Sequence, residues 1–315
     1  MISLEKRFSE WTRRINENWF GSTKENEDGK EQFIWYRGVS KCSYDLTTSF
    51  QRNSVVNEME LRQYYEKIRK CINGLDTDDF ILTDYENFGF AFLQHRGFPS
   101  PLLDWTSYPM VAAQFACHDW IVKEQKTDAA IYALNVKKFM ELFDIQYKVS
   151  MSFCEDNVYG KKDQKIVENI PPLRVGPGIT SLSEMEKPMP FRGFRSPYLS
   201  ADWEDKMETI IKDPLIARMA PQSGKFIYVP GKESLDAQIK KRCDIEGIDK
   251  EDVIQKFSIC VSEKDQIKSV LENNVSTGGA FGNYIAYDKL FPEKKASEID
   301  SKLEGLRNLL NNRCF

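Results

Sequence analysis

The chain of 315 residues is 41% hydrophobic and 29% charged, with 44 Lys and Arg against 48 Asp and Glu for a net charge of −4. That length suits one large or two modest domains with a core that needs no covalent staples. The charge balance lacks the basic sheath of a dedicated DNA-coating protein, and no run reaches the ~20 apolar residues that cross a bilayer, so no membrane partner is expected.

In chain order, residues 4–20 space Leu4, Phe8, Trp11, Ile15 and Trp19 by three or four, which predicts an amphipathic helix. The polar stretch from Gly21 to Glu31 ends it. Phe33 to Gly38 reads as a buried strand closing on a charge and a glycine. Helical spacing returns over residues 58–75 and again over 85–94. Pro99 and Pro101 make the segment Gly97 to Pro101 irregular, because each proline blocks helix and pushes its predecessor toward extended backbone. Residues 109–122 resume a helix with Val111, Ala112, Phe115 and Ala116 on its apolar side, with Thr106 or Ser107 placed to cap it. Ala129 to Val136 reads as a core strand.

Residues 159–197 shift toward proline, glycine and charge without a period, and read as long surface loops with short strands, an insertion of about residues 155–200. Residues 202–211 look helical, 225–229 extended, 234–242 helical, 253–261 extended and 263–273 helical. A last helix over 301–310 aligns Leu303, Leu306, Leu309 and Leu310. The expected fold is α+β, a mixed central sheet with flanking helices. Its expected organisation is a helical segment over 1–30, one domain over 31–300 and a C-terminal helix over 301–315.

Scarce residue types remove whole mechanisms. Only two histidines occur, His95 and His118, without His-Glu-x-x-His and without paired cysteines, so no metal is expected. No Gly-x-Ser-x-Gly elbow or Walker loop is present, and Gly176-Pro177-Gly178 follows a proline-rich stretch where a Rossmann fingerprint needs an apolar strand. The seven cysteines, odd in number and without Cys-x-x-Cys, read as reduced thiols, and Met1 to Arg7 has no apolar secretory core. The expected location is the cytoplasm.

Three places gather chemistry. Arg37, at the end of a buried strand, can fork onto phosphate or ribose oxygens, with Gly38 letting a ligand approach the backbone; the competing reading is a core-edge ion pair. Gln94, His95, Asp104, Trp105 and Thr106 surround a segment that prolines hold stiff, and preorganised polar groups stabilise developing charge. The competing reading makes Asp104 and Thr106 helix caps and Trp105 core. Arg218 to Phe226 sets an arginine, Gln222 and Gly224 just before a strand, where a plain surface turn is the alternative. His118 reads as a dipole partner or a surface residue.

The motifs themselves are specific. Tyr36-Arg37-Gly38 with Ser49-Phe50-Gln51-Arg52, then Gln94-His95-x-Gly97-x-Pro99-x-x-Leu102-Leu103-Asp104-Trp105-Thr106, then Arg218-x-x-x-Gln222-x-Gly224-x-Phe226 and Leu290-Phe291-Pro292, resemble the successive blocks of the bacterial FRG domain. Tyr36 stands where the family name has Phe. The FRG layout is in turn remotely similar to ADP-ribosyltransferases. That resemblance implies a toxin or phage-defence effector that transfers ADP-ribose from NAD, as substrate, to a macromolecular acceptor, RNA slightly favoured over protein, with an antitoxin protein as a possible partner.

In that layout Arg37 holds the diphosphate or a ribose, with Gly38, Gln94 and Arg218 beside the dinucleotide. Tyr36 or Trp105 stacks on nicotinamide, and Asp104, Thr106 and His95 orient the ribose or the acceptor. Gln222 occupies the place of the usual late glutamate, leaving Asp104, Glu204 or Glu208 to supply the negative charge. A non-catalytic nucleotide- or nucleic-acid-binding module, and a hydrolase of NAD or nucleic acid, are the alternatives.

Overall fold

A computed structural model of the protein describes residues 4–21, 33–53, 63–64, 94, 97–123, 127–145, 187–192, 224–264, 304 and 308, and every structural statement below concerns these. Of the helices expected over 58–75, 85–94 and 301–310, the described residues are 63, 64, 94, 304 and 308, all helical. The helix expected over 202–211 and most of the 155–200 insertion lie outside the described residues, as do His95, Arg218 and Gln222.

Six strands form one sheet: β1 (Ile34–Val39), β2 (Leu102–Thr106), β3 (Ala129–Asn135), β4 (Met189–Arg192), β5 (Gly224–Tyr228) and β6 (Ile254–Ile259), in the order β4-β5-β2-β1-β3-β6. Every ladder is antiparallel. The α+β class is as expected; neighbouring strands alternate in direction throughout, so the sheet is wholly antiparallel where a mixed one was expected. One strand was expected as part of the stiff segment: residues 102–106, read as polar chemistry beside a loop, form a central strand with both flanks paired.

Helices cover both faces of the sheet. α1 (Leu4–Phe20) buries Leu4, Phe8, Trp11 and Ile15, the predicted stripe, against Ile34, Tyr36 and Phe257. Ring contacts fix the approach, with Phe8 edge-on to Phe257 at 5.3 Å and Trp11 edge-on to Tyr36 at 6.3 Å. α3 (Pro109–Lys123) lies on the same face through Met110, Ala112, Ala113 and Ala116, with Ala129, Ile131 and Ala133 of β3 beneath. These small residues let helix and sheet approach closely.

Residues of opposite parity make the second core. Trp35 and Val39 of β1, Leu103 and Trp105 of β2, and Tyr132 and Leu134 of β3 pack with α4 (Val136–Leu142) and α5 (Leu235–Glu246). α5 turns Leu235, Ile239 and Cys243 inward at spacing four and ends at Gly247, whose φ of +67° is the left-handed conformation glycine tolerates. α4 was not expected from the sequence. It is seven residues long and follows β3 directly, started by the Asn135 side chain, which accepts from the Lys138 N–H at 3.1 Å.

The segment before β2 is strapped down. Tyr64 donates its hydroxyl to the Pro99 carbonyl at 2.8 Å, and Phe50 N–H donates to the Ser100 carbonyl at 3.0 Å. Phe50 belongs to α2 (Ser49–Arg52), a single turn begun by a capping box between Thr48 and Gln51. The Gln51 amide also donates to the carbonyls of Gly231 and Glu233. Ser49-Phe50-Gln51 is therefore a brace that holds the entry to β2 against the loop after β5.

Candidate functional site

β1 shares six residue pairs with β3, and β2 shares five with β5, but β1 and β2 share one, Tyr36 with Thr106. Past that pair the two central strands part. The divergence opens a cleft of about 120 Å³ lined from β1 by Tyr36, Arg37 and Gly38, from β2 by Asp104, Trp105 and Thr106, from α3 by Phe115, and from β5 by Gly224, Lys225 and Phe226. At about 30 Å³ per water in the liquid, that is room for about four waters, the bulk of a ring or a sugar.

Arg37 spans the gap. Its Nη1 donates to the Asp104 backbone carbonyl at 2.5 Å, while its Nε is buried without an acceptor among the described residues. The contact uses the carbonyl, which a parting strand leaves unpaired, and not the carboxylate. Asp104 Oδ1 is likewise buried without a donor. Burial pulls the Arg37 guanidinium below the usual arginine range and the Asp104 carboxylate works against it, with Arg52 adding to the depression and Tyr132 opposing it. The side chain stays charged because an arginine starts so high.

Other candidates have structural duties that the sequence did not separate from chemistry. Gly38 was read as a place for a ligand to approach the backbone. A methyl group there would stand 1.9 Å from the Ala112 carbonyl oxygen and 2.5 Å from the Ala116 nitrogen, so the approaching backbone is that of α3. Tyr36 is 4% exposed and edge-on to Trp11; Trp105 is 2% exposed within the core, its indole N–H unpartnered. Both rings wall the cleft and leave little open face for stacking. Thr106 Oγ1 accepts from Tyr108 N–H at 3.0 Å, the turn that leads into α3. Gln94 is half-buried with Oε1 unpartnered, and it does not line the cleft.

One cation of the lining lay inside the candidate segment Arg218 to Phe226 without being singled out there. Lys225, 8% exposed at the head of β5, lines the cleft with Arg37. Its signal was a lysine opening an otherwise apolar strand, Lys225-Phe226-Ile227-Tyr228, which a charged strand end explains equally well.

The architecture defines an α+β protein whose two central strands splay around a buried guanidinium and a carboxylate. Residues 32–125, which run from β1 through α3, match the family model of the FRG domain. β3 to β6, which complete the sheet, follow that match. No curated protein and no solved structure matches the chain. No helix among the described residues is long and apolar enough to cross a membrane, and no group of three or more metal-ligating side chains gathers among them.

Proposed function

We propose that this protein transfers ADP-ribose from NAD to a macromolecular acceptor, RNA favoured over protein, as a toxin or phage-defence effector held in check by an antitoxin protein. The observation that carries the reading is the meeting, in one cleft, of a buried guanidinium whose Nε and a carboxylate whose Oδ1 have no partner among the described residues. An anionic, sugar-bearing electrophile uses both. The guanidinium binds the dinucleotide's oxygens, and the carboxylate faces the positive charge that develops on the ribose.

The bond from ribose C1′ to the nicotinamide nitrogen breaks, its electron pair leaving with neutral nicotinamide. The ribosyl carbon gains oxocarbenium character, which Asp104 stabilises electrostatically. An acceptor hydroxyl or amine then attacks C1′ and loses its proton to Asp104 or solvent. The cleft's modest size suits one ring or one sugar of the substrate's nicotinamide-ribose end. The stiff backbone around Pro99 and Pro101, braced by α2, fixes where Asp104 stands.

A second reading, a nucleotide-binding module without turnover, is favoured by Gln222 standing where a transferase has its late glutamate. Purified protein incubated with NAD labelled in its adenylate portion and total cell extract separates them. The transferase puts label into RNA, and Arg37→Ala abolishes it. Label in protein moves the acceptor; free ADP-ribose alone means hydrolysis; NAD binding with no label in any macromolecule refutes the proposal.

A further inference from the structure

Past Val39 the chain leaves β1 for a loop over residues 40–48 that leads into α2. The cations on and beside this loop have neutral partners. Lys41 stands over the Tyr44 ring, 5.4 Å from its centroid. Arg52, which closes α2, donates Nη1 to the Thr47 carbonyl. Lys256 on β6 donates Nζ to the Cys42 carbonyl at 2.5 Å and lies over the Tyr132 ring. None of the three forms an ion pair among the described residues, whereas Arg13, Lys138 and Arg242 each pair with a glutamate about one helical turn away. The loop sets a single carboxylate, Asp45, against them. On a chain of net charge −4 this is a local positive patch, which concentrates anions at one place on the surface.

Tyr44 sits in the middle of it, 46% exposed. Its backbone is held: Tyr132 donates its hydroxyl to the Tyr44 carbonyl at 3.1 Å, and the Leu46 N–H donates to Asp236 Oδ1 at 2.8 Å. On the near side, the Cys42 N–H donates to the Asp128 carbonyl at 2.7 Å. The ring is thus displayed from a pinned backbone, a platform that needs little ordering when a partner arrives. The patch also reaches toward the cleft. Burial lowers the Arg37 guanidinium most, and the charge that lowers it further is Arg52. A fixed ring among uncompensated cations suits an unpaired strand, whose bases offer a face to stack and whose phosphates meet the charges. A duplex hides those faces, and an acidic peptide would use the cations and leave the ring idle.

We infer that a single-stranded nucleic acid binds across the loop over residues 40–48, one base on Tyr44 and its phosphates on Lys41, Arg52 and Lys256. That this strand is the acceptor brought to Arg37 rests on the transferase reading; the binding surface itself does not.

Fluorescence anisotropy of labelled oligouridine and oligothymidine tests it on the full chain at low salt, and the tighter of the two tells RNA from DNA. Tyr44→Ala weakens binding by about tenfold or more without changing its salt dependence, while Tyr44→Phe, which keeps the ring, binds like the parent. Arg52→Gln lowers the slope of log K against log salt by about 0.7, the loss of one phosphate contact. Tyr44 and Arg52 are exposed, so these changes leave the core untouched. A parent that binds neither strand, or a Tyr44→Ala protein that binds as the parent does, overturns the inference, and label then found in protein makes a protein the acceptor. Strand binding through Tyr44 without any transfer of label from NAD keeps the surface and removes the transferase; transfer into RNA that Tyr44→Ala leaves intact does the reverse.

Discussion

Replacing Gly38 with alanine probes the contact that sets α3 on the sheet. The added methyl would lie 1.9 Å from the Ala112 carbonyl oxygen, where ordinary contact begins at 3.4 Å, so helix and strand must separate by roughly 1.5 Å. Overpacking usually costs about 1–3 kcal/mol, and this case belongs at the top of that range because all three clashing atoms are backbone and none can rotate away. At about 2 °C per kcal/mol, the low end of the slope because the chain is longer than the 150–250-residue domains it describes, Tm should fall by roughly 6 °C, read by calorimetry or circular dichroism. Trimming the helix side chain should not help, so Gly38→Ala with Ala112→Gly should be no more stable than Gly38→Ala alone. Phe115 travels with the helix and lines the cleft, so ligand affinity should fall too. A Gly38→Ala protein melting within a degree or so of the parent, or a rescue by Ala112→Gly, would refute the account of this glycine as a packing residue.

Asp104→Asn should keep the Arg37 contact, which uses the main-chain carbonyl, yet cut label transfer by about 10²-fold or more with NAD binding retained; an unchanged rate would remove Asp104 from the chemistry. Tyr64→Phe deletes the bond to the Pro99 carbonyl while sparing the ring contact with Phe50, and should lower stability by about 1 kcal/mol in urea titrations. Burial pushes the Cys117 thiol up to about 12, with Lys264 opposing. Because the folded value lies above the unfolded one, this group's contribution is intact below about pH 9 and is lost as pH rises through 12. Urea midpoints should therefore drop further between about pH 8 and about pH 10.5 in the parent than in Cys117→Ala. Iodoacetamide at neutral pH should label the exposed Cys260 and spare Cys117.

Much of this architecture is written locally. The three- and four-residue spacing of Leu4, Phe8, Trp11 and Ile15 names α1 and its buried face, and the runs around Ile34, Ala129, Lys225 and Ile254 name four strands, because apolar periodicity is a local consequence of burying one face. α4 was not legible, since a seven-residue helix directly after a strand has too few turns to show a period. β2 was read as part of the stiff loop region. Its residues Leu102 to Thr106 are short and mixed in polarity, and only pairing on both sides makes them a strand.

The site divides along the same line. Residue types and order alone marked Arg37 and the segment through Thr106, because an arginine inside an aromatic run and a carboxylate beside stiff prolines stand out against a core. Which of those residues face ligand and which merely pack was a tertiary decision. Gly38 answers to the backbone of a helix more than seventy residues downstream, and Trp105 and Tyr36 answer to cores on opposite faces. The cleft exists because β1 and β2 meet at one pair and then diverge, and strand divergence depends on what each strand pairs with on its far side. That is also why Lys225 was not singled out within its segment: its neighbour across the sheet, and through it Arg37, is fixed by ladders between distant segments that no local pattern encodes.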